Sequence, residues 1–395
     1  MQPRMNFYAR QSHATSASQF TFCPVVATGD SHTVILTGDG SVWAKGGNSF
    51  GQLGDNTRLI RNRFVQVIAG DVQSVAAGAV HTVVVKQDGS LWSTGLNQFG
   101  QLGDERPTCD WARFLQVITN DVNQVAAGSL HTVVLKTDHS VWATGDNRHG
   151  QIGGGTGEKI IRGFKQVIAG GVRSVAASGF HTMLLKTDGS VWAAGKNDLF
   201  QLGDGTSMNR NRFVQVVAFG VQSVSAGLVH SIILKKDTFV WAAGTNSYRQ
   251  FGANMNKVNG RFEKIFAGGV RQAVAGALST VLMKRDGSVW ATGSPVRDVD
   301  VTIVGFKQMD CELHQNSCDG AWREESGNII VHKLSPFFLS VRCLPLRCAC
   351  VICRGSACRV VRFLCTLLRQ NFNACSPCLQ VWSTLYFPRP RQLPY

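Results

Sequence analysis

Apolar residues in this chain occur in short runs separated by glycine and polar residues. The apolar run at 81–86 (HTVVVK) is followed by the polar turn QDGS and by a second run at 91–95 (LWSTG). Asp-Gly between two such runs is a strong hairpin signal, because glycine adopts positive φ without steric cost. Two further runs, at 64–68 (FVQVI) and 72–77 (VQSVAA), complete a predicted group of four short strands. No part of the unit has apolar residues at helical spacing together with capping residues at both ends.

This group of strands recurs at a nearly constant interval. Six tryptophans follow one another at spacings of 49, 50, 50, 49 and 49 residues, namely Trp43, Trp92, Trp142, Trp192, Trp241 and Trp290. Five histidines keep the same spacing, with Ser279 in the sixth place: His32, His81, His131, His181 and His230. The repetition predicts five complete units, at 25–71, 72–121, 122–171, 172–220 and 221–269, and a sixth that starts at Val270.

Four antiparallel strands per unit predict an all-β protein, a β-propeller with blades of about 50 residues. A β-solenoid is the alternative, but hairpins make antiparallel sheets, whereas solenoids stack parallel coils of shorter period. The blade count stays open between six and an incomplete seven. Because 305–309 (GFKQM) repeats 163–167 (GFKQV), we expect a shortened sixth unit that ends near Asp310. The predicted organisation is a disordered N-terminus at 1–24, a propeller at 25–310 and an irregular Cys/Arg-rich tail at 311–395.

The repeated run A-A-G-x-x-H-T-x-x-L-K-x-D-G-S-V-W-A-x-G-x-N-x-x-G-Q-L-G resembles the repeat of the regulator of chromosome condensation family. It recurs in register over residues 25–293, with degraded copies of its last four residues at 200–203 and 249–252. The resemblance implies a propeller, usually of seven blades with one blade completed by both chain ends. It also implies guanine-nucleotide exchange on a Ran-type GTPase, for which the founding members are thought to use an insertion protruding from one blade. The units here are uniform in length, and this chain shows no such insertion.

The net charge of +15 belongs mainly to the tail. The last 70 residues contain no acidic residue and carry +9, which leaves +6 for residues 1–325. Phosphate contacts need many Lys and Arg side chains, so the near-neutral propeller argues against nucleic-acid binding. Ten of the twelve cysteines lie between Cys311 and Cys378, so the body is not a disulfide scaffold and fits a reducing compartment. We expect the cytoplasm, with the nucleus as the alternative, and no transmembrane segment, because arginines interrupt the apolar stretch 336–368.

The candidate binding residues are arginines near the end of the polar loop in each unit. Four directly precede a phenylalanine and one stands two residues before it: Arg63, Arg113, Arg212 and Arg261, and Arg162. Repeated blades would arrange them as a ring of positive charge for carboxylate or phosphate groups of a partner. The alternative is that each arginine pairs with the aspartate after G-Q-L-G in its own loop, namely Asp55, Asp104 or Asp204.

The other repeated residues indicate structure rather than chemistry. Equivalent histidines of successive blades lie far apart, so we expect each imidazole to form a hydrogen bond inside its own blade. The tryptophans are expected in the core, and the Gln of G-Q-L-G is expected to bond neighbouring main chain. No nucleophile elbow or asymmetric polar cluster is apparent, so the sequence predicts neither enzymatic activity nor a cofactor.

The tail offers one weak metal motif. Cys350, Cys353, Cys375 and Cys378 approximate the spacing of a four-thiolate zinc site, but further cysteines and apolar residues are interleaved with them. A translated non-coding segment and a membrane-surface segment are the alternatives. The prediction for the whole chain is a non-catalytic scaffold that binds another protein, either a small GTPase or an acidic surface, through the loop faces of a propeller. Guanine-nucleotide exchange on a Ran-type GTPase is the alternative function.

Overall fold

The computed structural model describes residues 25–106, 110–253, 258–294 and 303–308. Over these residues the chain is all β, and each predicted unit forms one four-stranded sheet whose antiparallel strands pair in chain order. Within the described ranges these sheets follow one another as six blades. The sixth blade ends at Gln308, close to the expected boundary at Asp310.

The first three blades contain β1 to β12. Blade 1 consists of β1 (Val25–Thr28), β2 (His32–Leu36), β3 (Val42–Gly46) and β4 (Arg61–Ile68). Blade 2 consists of β5 (Val72–Ala77), β6 (His81–Lys86), β7 (Leu91–Gly95) and β8 (Trp111–Ile118). Blade 3 consists of β9 (Val122–Ala127), β10 (His131–Lys136), β11 (Val141–Asp146) and β12 (Ile160–Ile168).

The other three blades contain β13 to β24. Blade 4 consists of β13 (Val172–Ser178), β14 (His181–Lys186), β15 (Val191–Gly195) and β16 (Arg210–Val217). Blade 5 consists of β17 (Val221–Ala226), β18 (His230–Lys235), β19 (Val240–Thr245) and β20 (Val258–Phe266). Blade 6 consists of β21 (Val270–Ala275), β22 (Ser279–Lys284), β23 (Val289–Gly293) and β24 (Ile303–Gln308).

The D-G-S-V-W motif closes the hairpin between the second and third strands of a blade. In blade 2, Gly89 adopts a φ of 78°, as the Asp-Gly signal predicts. Asp88 accepts a hydrogen bond from the Ser90 N–H at 2.8 Å, and the Trp92 indole donates to Ser90 Oγ at 2.9 Å. Lys86 Nζ lies 4.4 Å from the centre of the Trp92 ring. Asp88, Gly89, Ser90 and Trp92 therefore each help to hold this turn.

Two blades lack the turn glycine, and another residue adopts its conformation. His139 in blade 3 and Thr238 in blade 5 have φ values of 66° and 70°. A residue with a Cβ is uncommon in this left-handed region. The hairpin register around them is nevertheless regular, with Leu135 paired to Val141 and Leu234 paired to Val240.

The hydrophobic core is divided among the contacts between successive blades. Between blades 1 and 2, for example, Val34, Val42 and Leu53 pack with Val75 and Val84, and all five are at most 5% exposed. Corresponding cores join blades 2 to 3, 3 to 4, 4 to 5 and 5 to 6. Blade stacking therefore buries the apolar faces that a single sheet would leave in water.

The repeated histidines connect neighbouring blades, so the expectation of a hydrogen bond inside each blade is wrong. His32 Nε2 of blade 1 lies 2.9 Å from Thr82 Oγ1 of blade 2. The Thr82 hydroxyl donates its proton to the backbone carbonyl of Gln52 at 2.6 Å, so Nε2 of His32 is the donor in the first bond. The same contact recurs from His81 to Thr132, His131 to Thr182, His181 to Ser231 and His230 to Thr280.

Candidate functional site

Strands alternate in direction, so the loops between the third and fourth strands all emerge on the same side of the blades. We call this side the loop face. In blade 1 this loop spans residues 47–60. It is held by Asn48, whose Oδ1 accepts the N–H of Leu53 at 3.0 Å, and by Gln52, whose Oε1 accepts the N–H of Phe50 at 3.0 Å. The predicted bond from the G-Q-L-G glutamine to neighbouring main chain is therefore confirmed.

The loops of blades 1, 3 and 4 are also attached by backbone contacts to the fourth strand of the next blade. Asn56 N–H donates to the carbonyl of Ala112 at 2.8 Å, and Asp55 forms a β-bridge with Arg113. Phe114 lies against Gly54, where an added Cβ would come within 2.4 Å of the ring. These contacts determine where the arginine before each phenylalanine is placed.

Most of the predicted ring arginines are exposed. Arg63, Arg113, Arg212 and Arg261 have exposed side chains near the starts of β4, β8, β16 and β20. Arg162 is half-buried and donates to the backbone carbonyl of Gln98 in the preceding blade at 3.1 Å. None of the five forms an ion pair with an acidic side chain in the described parts of the chain.

The predicted local ion pairs exist, but with different arginines. Asp55 binds Arg61 at 2.6 Å, Asp104 binds Arg106 at 2.7 Å and Asp204 binds Arg210 at 2.7 Å. The alternative that Arg63, Arg113, Arg212 and Arg261 neutralise these aspartates is therefore wrong. The paired residues are Arg61 and Arg210, two positions before Arg63 and Arg212, and Arg106 within the loop of blade 2.

The hydrogen bonds around Asp55 explain why its ion pair with Arg61 is stable. Burial by itself would raise the pKa of Asp55, but hydrogen bonds from Thr57, Arg61 and Asn48 outweigh it and hold the pKa below its ordinary value. The carboxylate is 7% exposed, and its Arg61 partner is 32% exposed. Asp55 therefore stays ionised and stabilises the loop, while Arg63 remains available on the surface.

The loop face also exposes large apolar side chains that the sequence analysis did not single out. Leu59 and Ile60 are 63% and 66% exposed, and Met208 at the matching loop of blade 4 is 58% exposed. Phe50 and Tyr248 occupy equivalent loop positions and are 36% and 44% exposed. Their signal in the sequence was an apolar residue inside an otherwise polar loop. Arginine and large apolar residues together are typical of protein-binding surfaces.

No group of three or more His, Cys, Asp or Glu residues suitable for a metal ion occurs within the described ranges. The zinc candidates Cys350, Cys353, Cys375 and Cys378 lie outside the described residues. Among the residues that the structure describes, no helix is long and apolar enough to cross a membrane.

The strand order, the interblade cores and the repeated loop anchors define a six-bladed β-propeller. Two models of the regulator of chromosome condensation (RCC1) repeat match it, one at residues 26–52, 72–101, 122–151 and 172–201 and the other at 88–135. The chain therefore contains repeats of the regulator of chromosome condensation type on a β-propeller, as the sequence resemblance predicts. No curated protein matches the chain as a sequence relative.

Solved structures share the fold at low identity. Human WBSCR16 is 20% identical with a TM-score of 0.63, and the match covers 76% of this chain and 84% of that one. Prp20p from Saccharomyces cerevisiae, whose binding to Gsp1p and histones has been examined, is 18% identical with a TM-score of 0.63. That match covers 72% of this chain and 76% of Prp20p. At this identity the similarity shows the propeller fold alone.

Proposed function

We propose that the protein is a non-catalytic interaction scaffold that binds an acidic surface of another protein through its loop face. One observation carries this proposal: an arginine directly precedes the loop-end phenylalanine in four blades and stands one residue earlier in a fifth, and none of the five forms an ion pair with an acidic side chain among the described residues. Guanidinium groups bind carboxylates through two parallel hydrogen bonds, so a ring of them suits a partner with several Asp or Glu side chains.

Exposed apolar side chains near the arginines favour binding of a protein surface rather than of a small anion. Leu59 and Ile60 in blade 1 and Met208 in blade 4 are more than half exposed on the same loop face. A partner that covers such apolar side chains excludes water, which strengthens the nearby charged hydrogen bonds. The loops are anchored to neighbouring blades, so little ordering entropy is lost when the partner binds.

A charge-matched comparison tests the proposal. The variant Arg63→Gln/Arg212→Gln/Arg261→Gln removes three loop-face charges. The control Lys236→Gln/Arg285→Gln/Lys307→Gln removes three exposed charges elsewhere. Partners retained by the full chain are identified by quantitative mass spectrometry, and their affinities for each variant are then measured. We expect at least tenfold weaker binding for the first variant and little change for the control. Equal binding by both variants, with unchanged melting temperatures, would overturn the proposal.

Guanine-nucleotide exchange on a Ran-type GTPase is the second candidate. It is supported by the repeat family and by the fold shared with Prp20p, a protein studied for binding to Gsp1p. Release of a fluorescent guanine nucleotide from a Ran-type GTPase separates the two functions. A scaffold leaves the release rate unchanged, whereas an exchange factor accelerates it. For either function we propose a cytoplasmic location, with the nucleus as the alternative.

A further inference from the structure

A cleft of about 210 Å³ lies between blades 4 and 5, on the outer side of their contact. Its apolar wall includes Val217, Ile233 and Phe262, and its polar wall includes Lys235, Trp241 and Arg261. All three polar side chains carry hydrogen-bond donor groups, and among the described residues no acidic side chain lines the cleft. The cleft therefore presents donors and positive charge beside apolar surface.

The tryptophan in this cleft lacks the acceptor that its counterparts have. In the five other blades the indole Nε1 donates to the serine two residues earlier, at 2.9 to 3.1 Å. In blade 5 that serine is replaced by Phe239, and the buried Nε1 of Trp241 has no hydrogen-bond acceptor within the described structure. A buried donor without an acceptor costs folding free energy, so the replacement needs a compensating contact.

A second departure from the repeat occurs at the same blade contact. Val217 ends β16, where the corresponding residues of blades 1 to 3 are Ile68, Ile118 and Ile168. Valine is one methylene smaller than isoleucine, which leaves space in the wall of the cleft. Phe219, two residues further on, is 76% exposed. The smaller wall residue and the unpaired indole thus belong to one site.

We propose that this cleft binds a carboxylate carried on a short apolar group. The ammonium of Lys235, the guanidinium of Arg261 and the indole N–H of Trp241 supply donors for the two carboxylate oxygens. Val217, Ile233 and Phe262 bury the apolar part. A branched-chain acid and the C-terminus of a peptide ending in Leu share this chemistry. This site is separate from the proposed function except for Arg261, which lies on both surfaces, so the test leaves Arg261 unchanged.

The test follows the tryptophan indole resonances of the full-length chain by NMR during titration with isovalerate. The Trp241 signal is assigned by its loss in Trp241→Phe. We expect it to shift saturably, while the signal of Trp192, whose indole is bonded to Ser190, stays in place. N-acetyl-Ala-Leu with a free carboxylate is compared with its amide. Binding of the free peptide as well as isovalerate identifies a peptide C-terminus as a source, and binding of isovalerate alone identifies a small acid.

Two substitutions restore the repeat sequence and serve as matched variants. Phe239→Ser supplies the missing acceptor, and Val217→Ile introduces the residue that three other blades already contain. We expect each to weaken isovalerate binding at least tenfold with the remaining indole signals unchanged. If neither changes the affinity, or if Trp192 shifts as much as Trp241 in the unmodified chain, the proposal is wrong. Isoleucine occurs naturally at the corresponding position of blades 1 to 3. Val217→Ile therefore keeps the test valid even if Phe239→Ser unfolds the blade.

Discussion

His81 Nε2 lies 3.0 Å from Thr132 Oγ1, and this hydrogen bond connects two blades through residues 51 positions apart in the sequence. Both side chains are fully buried. Thr132 also donates to the carbonyl of Gln101 at 2.6 Å, so one hydroxyl joins an imidazole to a loop of the preceding blade. The recurrence of this arrangement makes the His and Thr positions part of the interblade contact.

Thr132→Val should destabilise the protein by about 1 to 3 kcal/mol, because it leaves the buried His81 Nε2 and Gln101 carbonyl without their shared partner. Urea denaturation at pH 7.5 measures the change. Thr132→Ser is the control, since Ser231 performs the same role in blade 5. Equal stability of the valine and serine variants would contradict this account.

Acid should destabilise the fold through the buried histidines. Burial lowers the pKa of His32 from 6.5 to about 4 and that of His230 to about 3. Below pH 6.5 the unfolded chain binds protons that the folded chain does not accept. The stabilisation is therefore complete above pH 6.5 and declines as the pH falls towards 4, by about 3 kcal/mol for His32 alone. Unfolding free energies measured between pH 7.5 and 4.5 test the sign.

A histidine variant isolates this effect from other titrating groups. Ser279 occupies the histidine position in blade 6, so His32→Ser uses a residue native to the repeat. The variant should lower the unfolding free energy at pH 7. It should also reduce the slope of unfolding free energy against pH by the equivalent of about one bound proton. An unchanged slope would show that His32 binds a proton as readily in the folded protein as in the unfolded chain.

Gly54→Ala should cost more than an ordinary glycine replacement. Gly54 has a φ of 75°, and an added Cβ would lie 2.4 Å from the Phe114 ring of the next blade. We expect a loss of about 1 to 3 kcal/mol from backbone strain and displacement of that ring. Gly157→Ala is the control, because no atom lies within 4 Å of its added Cβ. Thermal unfolding of the two variants should differ clearly, and a similar melting temperature would refute the packing argument.

The two neighbouring arginines of β4 should differ in their effect on stability. Arg61→Gln removes the 2.6 Å pair with the nearly buried Asp55 and should cost about 1 kcal/mol. Arg63→Gln removes an exposed charge and should change stability by less than about 0.5 kcal/mol. Chemical denaturation of the single variants distinguishes them. A larger loss for Arg63→Gln would mean that Arg63 is structural and unavailable to a partner.

Much of the fold followed from local patterns. The Trp and His spacing predicted the blades, and Asp88-Gly89 predicted a hairpin that the structure confirms. The arginine pairing was harder, because Arg61 and Arg63 are both close to Asp55 in sequence. A bulge between Gly46 and Ala44 in the pairing of β3 with β4 changes the register there, and no local pattern of the sequence indicated it.

Sequence patterns were sufficient to predict the repeat, the four strands of each blade and the turn residues, because these depend on contacts between residues close in the chain. The folded structure was needed to show that His81 bonds the next blade, that Arg61 rather than Arg63 pairs with Asp55, and that Trp241 faces a cleft. Each of these depends on how one blade stacks on another. Repeats of nearly identical sequence do not reveal such contacts, because equivalent residues have the same neighbours along the chain. Their partners in the folded protein come from the adjacent blade.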